Sequence, residues 1–192
     1  MSAGRIGAIV LAGGRSSRFG RDKLAEPIDG RPLLEHAIAA ARVVAAEVVV
    51  VLAPGVDRRL PAAVLVAHDE QAFEGPLAGV AAGLAALPED IDRCLVVGGD
   101  MPTLSPAVLR LLVAAVAATD VTAAILDDGG PLPMAVRPRV AAPAARALLA
   151  SGERRLRALP ERLSATVVTG TAWRAHDPEA ATLRDIDTTD DL

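Results

Sequence analysis

The 192-residue sequence has one cysteine, Cys94, no tyrosine, one tryptophan, Trp173, and two phenylalanines, Phe19 and Phe73. A single thiol closes no internal disulfide and supplies no multi-cysteine zinc or iron–sulfur site. Aromatic residues at 2% leave too few rings for a stacking platform on single-stranded nucleic acid. The net charge of −4 lacks the clustered cationic excess by which phosphate backbones are bound. The three histidines, His36, His68 and His176, have no paired metal-ligand spacing, and no G-x-S-x-G elbow is present. Cys94 sits in an apolar run, where burial makes a thiol inert. Catalysis by a side-chain nucleophile is therefore not indicated. No apolar stretch approaches membrane-spanning length, and the run Ile6 to Gly14 after Arg5 lacks a convincing cleavage region, so it reads as a buried strand. These absences lead to the expectation of a cytoplasmic protein with neither a nucleic-acid nor a membrane partner.

What is present is apolar content: 52% hydrophobic residues, alanine foremost, against 23% charged. The length matches about one average domain, so residues 1–192 read as a single unit able to bury a continuous core. Short β-branched runs alternate with alanine- and leucine-rich segments, the pattern of parallel strands joined by crossover helices, which predicts an α/β sandwich. Strands are expected at Arg5 to Leu11, Glu47 to Leu52, Val64 to Ala67, Arg93 to Val97, Thr122 to Leu126, Met134 to Val136 and Ala165 to Thr169. Helices are expected at Pro32 to Ala46, Pro76 to Ala86, Ala141 to Leu149 and Arg155 to Leu159. A further helix reaching Ala118 is expected to start at Ser105-Pro106, an N-cap followed by a first-turn proline. No internal repeat or linker divides the chain, although its irregular back third could form a subdomain.

The densest group of functional residues follows the first strand: Leu11-Ala12-Gly13-Gly14-Arg15-Ser16-Ser17-Arg18-Phe19-Gly20-Arg21-Asp22-Lys23. Its glycines let backbone N–H groups approach an anion, and its four cations supply the opposite charge, a combination suited to a polyphosphate. It matches neither the G-x-G-x-x-G nor the G-x-x-x-x-G-K-[ST] pattern; the plain alternative is a surface loop of solvated arginines. A second strand ends in Gly98-Gly99-Asp100-Met101-Pro102, placing Asp100 where open α/β sheets gather ligands. Asp100 is a candidate Mg2+ ligand, since that ion takes one or two carboxylates together with substrate phosphates. A turn-forming aspartate before Pro102 is the equally weighted alternative. Asp69 to Gly79 again lies between a strand and a helix. Near the end of the sequence, Asp185 and Asp187 alternate on what would be a short strand, either completing a metal site or solvated.

Together these motifs resemble the molybdenum cofactor guanylyltransferase family, within the Rossmann-like nucleotidyltransferases that share LAGG-x-S-x-R-x-G-x-D-K. The pattern stands here as LAGGRSSRFGRDK without a gap. The similarity continues through Gly30-Arg31-Pro32-Leu33-Leu34-Glu35-His36, Glu74-Gly75-Pro76-Leu77-Ala78-Gly79, Gly99-Asp100-Met101-Pro102 and the terminal Asp185 to Leu192. The resemblance implies a single-domain Rossmann-like three-layer sandwich with a mostly parallel sheet. It implies transfer of GMP from GTP to molybdopterin, with release of pyrophosphate and Mg2+ as the metal. Leu11, Ala12 and Gly13 would line the nucleotide, Gly14 would approach its phosphates and Lys23 would bind the polyphosphate. Asp69 would be the nucleotide-side aspartate, Asp100 the metal ligand, and Arg18 the arginine of the loop, acting with Lys23 and Asp100. The front of the chain reads as a GTP enzyme, whereas Asp185-Ile186-Asp187-Thr188 is similar to the related cytidylyltransferases. CTP as donor, another small phosphate acceptor and a catalytically silent nucleotide-binding protein are the alternatives. A protein that delivers molybdopterin is an expected partner on the same grounds.

Overall fold

The structure is a computed structural model describing residues 4–13, 22–69, 75–117, 120–127 and 130–186. The unbroken apolar run of β1 (Arg5–Ala12) suits a strand covered on both faces. A two-residue hairpin follows, β2 (Pro27–Ile28) and β3 (Arg31–Pro32), turned by Asp29 and Gly30 at φ 48° and 76°. Next come α1 (Leu33–Arg42), β4 (Glu47–Leu52), β5 (Leu65–His68), α2 (Pro76–Ala86) and β6 (Ile91–Gly98). The chain continues through α3 (Pro106–Ala115), β7 (Ala123–Leu126), β8 (Met134–Val136), α4 (Pro138–Ala150), α5 (Ala158–Arg162), β9 (Thr166–Val168) and α6 (Gly170–Trp173).

Seven strands form one sheet in the order β5-β4-β1-β6-β8-β7-β9. Ile9 of β1 is in register with Val49 on one side and Val96 on the other, both strands being parallel to β1. Among the described strands of this sheet only β8 runs against its neighbours, pairing antiparallel with β6 and β7, while β9 is parallel to β7. The two-residue period of a strand divides the core. Ala8, Val10 and Ala12 face α1 and α3, with Leu33, Leu34, Ile38, Leu109 and Leu112. Ile9, Val49 and Val96 face α2, α4 and α5. This is the helix–sheet–helix sandwich of a Rossmann-like fold. Each fully buried Val, Leu or Ile stabilises it by roughly 1.5–3 kcal/mol.

The expected strands at 47–52 and 134–136 and the helix at 76–86 coincide with β4, β8 and α2. Other helix boundaries differ. The first helix is trimmed to Leu33–Arg42, and the third stops at Ala115. Ser105 has the extended backbone of an N-cap but makes no side-chain cap; its N–H donates to Thr182 Oγ1 at 3.0 Å. The fourth helix begins at Pro138, a first-turn proline, and carries Pro143 inside it. The fifth is shifted to Ala158–Arg162. Among the described residues of the back third, β7, β8 and β9 extend the common sheet. Residues 184–186 are irregular rather than a strand. Among the described residues no helix is long and apolar enough to cross a membrane.

Candidate active site

The strand order reverses beside β1. The chain moves outward from β1 to β4 and β5, then returns to place β6 on the other side of β1. At such a switch point the connections leave the carboxyl ends of adjacent strands in opposite directions and open a crevice. Leu11 and Ala12 end β1 there, Gly13 follows, and Gly98 to Asp100 lie beside them at the end of β6. The Gly99 N–H donates to Leu11 O at 2.9 Å and joins the two ends. A Cβ on Gly99 would lie 2.9 Å from that oxygen and from Leu34 Cδ1, so only glycine fits this approach. Gly98 likewise leaves room for the Asp100 carboxylate, whose Oδ1 would be 2.5 Å from an added Cβ.

Lys23 is delivered to the crevice by a single 3-10 turn, Lys23–Ala25, packed under α1 through buried Leu24. Asp22 caps this turn, its Oδ1 accepting the Leu24 N–H at 3.2 Å. Lys23 Nζ then donates to Asp100 Oδ2 at 2.9 Å, with the two side chains 13% and 31% exposed. Opposite unit charges about 4 Å apart attract by about 4 kcal/mol at an effective dielectric near 20, before desolvation is subtracted. The pair is thus held together while its carboxylate still meets solvent.

Of the other expected site residues, Gly13 packs on the β4 end, where an added Cβ would be 3.3 Å from Ala53 N. Asp69 follows β5, its N–H donating to Leu52 O at 3.1 Å, so β4 stands between it and β1. Gly14, Arg18 and Asp187 lie outside the described residues. Asp185 is carried to the crevice rim by its neighbour, as the Ile186 N–H donates to Asp100 O at 3.0 Å. That segment is fastened by Thr103 Oγ1 donating to Ala181 O at 2.6 Å, and by buried Asp177 accepting the N–H groups of Ala181 and Thr182 at 3.0 and 2.7 Å. Burial alone would push the Asp177 carboxyl up, but its hydrogen bonds from Thr182 and Ala181 hold it below the ordinary value.

The donor set fits a cation that arrives with phosphates. Asp100 offers a partly exposed carboxylate, and among the described residues no group of three His, Cys, Asp or Glu side chains forms a cage. Mg2+ is held in this way, by one or two carboxylates plus substrate oxygens. Sequence reasoning did not identify Arg58, whose Nη2 donates to Asp22 Oδ2 at 2.5 Å, or Asp127, which accepts from Gly170 N and Trp173 Nε1. Neither carries a local signal, because their partners are 36 and 43 to 46 residues away.

A crevice at the switch point, outside the carboxyl ends of β1 and β6, is where α/β proteins of the nucleotide-binding class take their ligands. The chain belongs to the MobA-like NTP transferase domain family, which matches residues 8–167. It is 35% identical to a probable molybdenum cofactor guanylyltransferase of Chloroflexus aggregans, over 97% of this chain and 91% of that protein. It is 38% identical to a molybdenum cofactor guanylyltransferase of Xanthomonas euvesicatoria pv. vesicatoria, over 85% of this chain and 82% of that one. Among solved structures it is similar to molybdopterin-guanine dinucleotide biosynthesis protein A from Archaeoglobus fulgidus. The TM-score is 0.77 and the identity 25%, covering 96% of this chain and 94% of that chain.

Proposed function

We propose that the protein transfers GMP from GTP to the phosphate of molybdopterin and releases pyrophosphate, with residues 1–192 acting as one nucleotidyltransferase domain. The observation that carries this reading is the Lys23–Asp100 pair in the crevice between β1 and β6, in a chain whose relatives bear the guanylyltransferase name. A phosphate oxygen of the acceptor attacks the α-phosphorus of the donor in line. The bond from that phosphorus to the bridging oxygen breaks, and the electron pair leaves with pyrophosphate. The acceptor brings its own nucleophile, so the protein has to position and neutralise rather than form a covalent intermediate.

The end of β1, Leu11 to Gly13, receives the nucleoside, with Gly14 against the phosphates and Asp69 on the nucleotide side. Lys23 neutralises the polyphosphate together with Arg18, exchanging its contact with Asp100 for phosphate oxygens. Asp100 would hold Mg2+, and the ion would supply charge neutralisation on the phosphate oxygens. The reading includes a cytoplasmic location, and the reactivity of the pterin favours its direct receipt from a delivering protein.

The test is pyrophosphate release with molybdopterin and Mg2+, comparing GTP, CTP, ATP and UTP. GTP selectivity supports the proposal. CTP selectivity would make the segment at Asp185, bonded through Ile186 to Asp100, the better guide to the base. No release with any nucleotide would overturn transfer.

A further inference from the structure

Three loops leave the carboxyl edge of the sheet at the crevice, after β1, β4 and β6, and two ion pairs tie them together. Lys23 in the first loop meets Asp100 in the third, and Asp22, next to Lys23, meets Arg58 in the second. Arg58 Nη2 donates to Asp22 Oδ2 at 2.5 Å, while the other oxygen of the same carboxylate caps the Lys23 turn through the Leu24 N–H. Arg58 is 15% exposed at its side chain, whereas Asp22 is 52% exposed. The buried Nε of Arg58 finds no hydrogen-bond partner among the described residues. An unpartnered buried donor opposes folding, and the ion pair with Asp22 offsets part of that cost. That contact also fixes the rotamer of a solvent-exposed carboxylate on which the Lys23 turn depends.

We propose that Arg58 is a positioning residue for Lys23, acting through Asp22. Arg58 clamps the Asp22 carboxylate so that Oδ1 stays on the Leu24 N–H. The turn Lys23–Ala25 then presents the lysine ammonium to the crevice before any nucleotide arrives. Preorganisation of this kind lowers the ordering cost that binding would otherwise incur. The assignment rests on the function proposed for Lys23, but the turn itself can be followed without turnover.

The experiment compares wild type, R58A, R58K, D22A and the double variant R58A/D22A by amide hydrogen exchange and by GTP-dependent pyrophosphate release. In R58A the amides of Leu24 and Ala25 should exchange about tenfold faster, with β1 and β6 unchanged, and kcat/KM for GTP should fall about tenfold, the scale of one charged hydrogen bond. R58K, which keeps a donor for Asp22, should recover part of both effects. Because Arg58 acts only through Asp22, adding R58A to D22A should change kcat/KM by less than about twofold, the signature of coupled sites. Unchanged exchange at Leu24 and Ala25 would overturn the proposal. So would faster exchange with unchanged kcat/KM, or an equal loss from R58A in both backgrounds. If wild type releases no pyrophosphate, the transfer reading fails, and the exchange measurement still decides whether Arg58 orders the Lys23 turn.

Discussion

Lys23 and Asp100 pair in the crevice, so replacing either removes a charge that the proposed transfer uses on the phosphates. Lys23→Ala and Asp100→Ala should each lower turnover by roughly 100-fold or more, the scale of losing a key electrostatic contact to a transition state. Steady-state pyrophosphate release measures this, and near-normal turnover would remove the residue from its role. Two carboxyls outside the crevice make the fold sensitive to acid. Hydrogen bonds from the Arg155 side chain, then from the Arg155 and Arg154 backbone, lower the Glu153 carboxyl from 4.5 to about 2. Trp173 Nε1 and then the Gly170 N–H hold Asp127 below its ordinary value. Both carboxyls titrate lower folded than unfolded, so their stabilisation is complete above the unfolded range, about pH 4, and is lost as pH falls through the folded values. These two carboxyls should therefore leave Tm unchanged between pH 7 and about 5 and lower it as the pH falls towards 2. Asp127→Ala should lower Tm at pH 7 and flatten that fall, as followed by calorimetry across the pH series. Cys94 is the opposite case: burial pushes its thiol well up, so a thiol reagent should modify it only on unfolding.

Among the elements, α2 lies so close to β1 that a glycine decides the contact. A Cβ on Gly83 would be 2.7 Å from Ile9 Cγ2 and 3.0 Å from Cδ1, and Ile9 is fully buried. Alanine in a helix interior gains about 1 kcal/mol over glycine, but overpacking a fixed core side chain costs about 1–3 kcal/mol. The clash wins, so Gly83→Ala should lower the denaturation midpoint in urea with the slope unchanged. This spacing cannot be read from the alanine-rich sequence Pro76–Ala86, although the helix itself can. The strands were legible for a related reason: runs such as Glu47–Leu52 are buried on both faces and leave no competing periodicity. The antiparallel insertion of three-residue β8 between β6 and β7 was not, because strand order is a tertiary choice. At the site, the glycines and charges around Lys23 and Asp100 announced themselves locally. Arg58 and Asp127 did not, since each acts on a partner distant in the chain.

For the whole molecule, the crevice joins the two halves of the winding. β4 and β5 lie on one side of β1, and the strands from β6 to β9 on the other. A nucleotide spanning the ends of β1 and β6, as proposed, would bind only when both halves are folded together, so its binding free energy would add to global stability rather than to one loop. At about 100 times its dissociation constant a ligand stabilises the fold by about 2.7 kcal/mol. For a chain of this size that corresponds to a Tm rise of about 5–10 °C. GTP with Mg2+ should produce this shift, GTP with chelator a smaller one, and ATP or UTP little. Asp100→Ala should abolish the difference between Mg2+ and chelator while keeping part of the nucleotide shift, because Lys23 and the end of β1 remain. A single transition should persist throughout, since one sheet carries both halves. A nucleotide shift equal in wild type and Asp100→Ala, with and without Mg2+, would place the metal away from β6 and separate it from the nucleotide crevice.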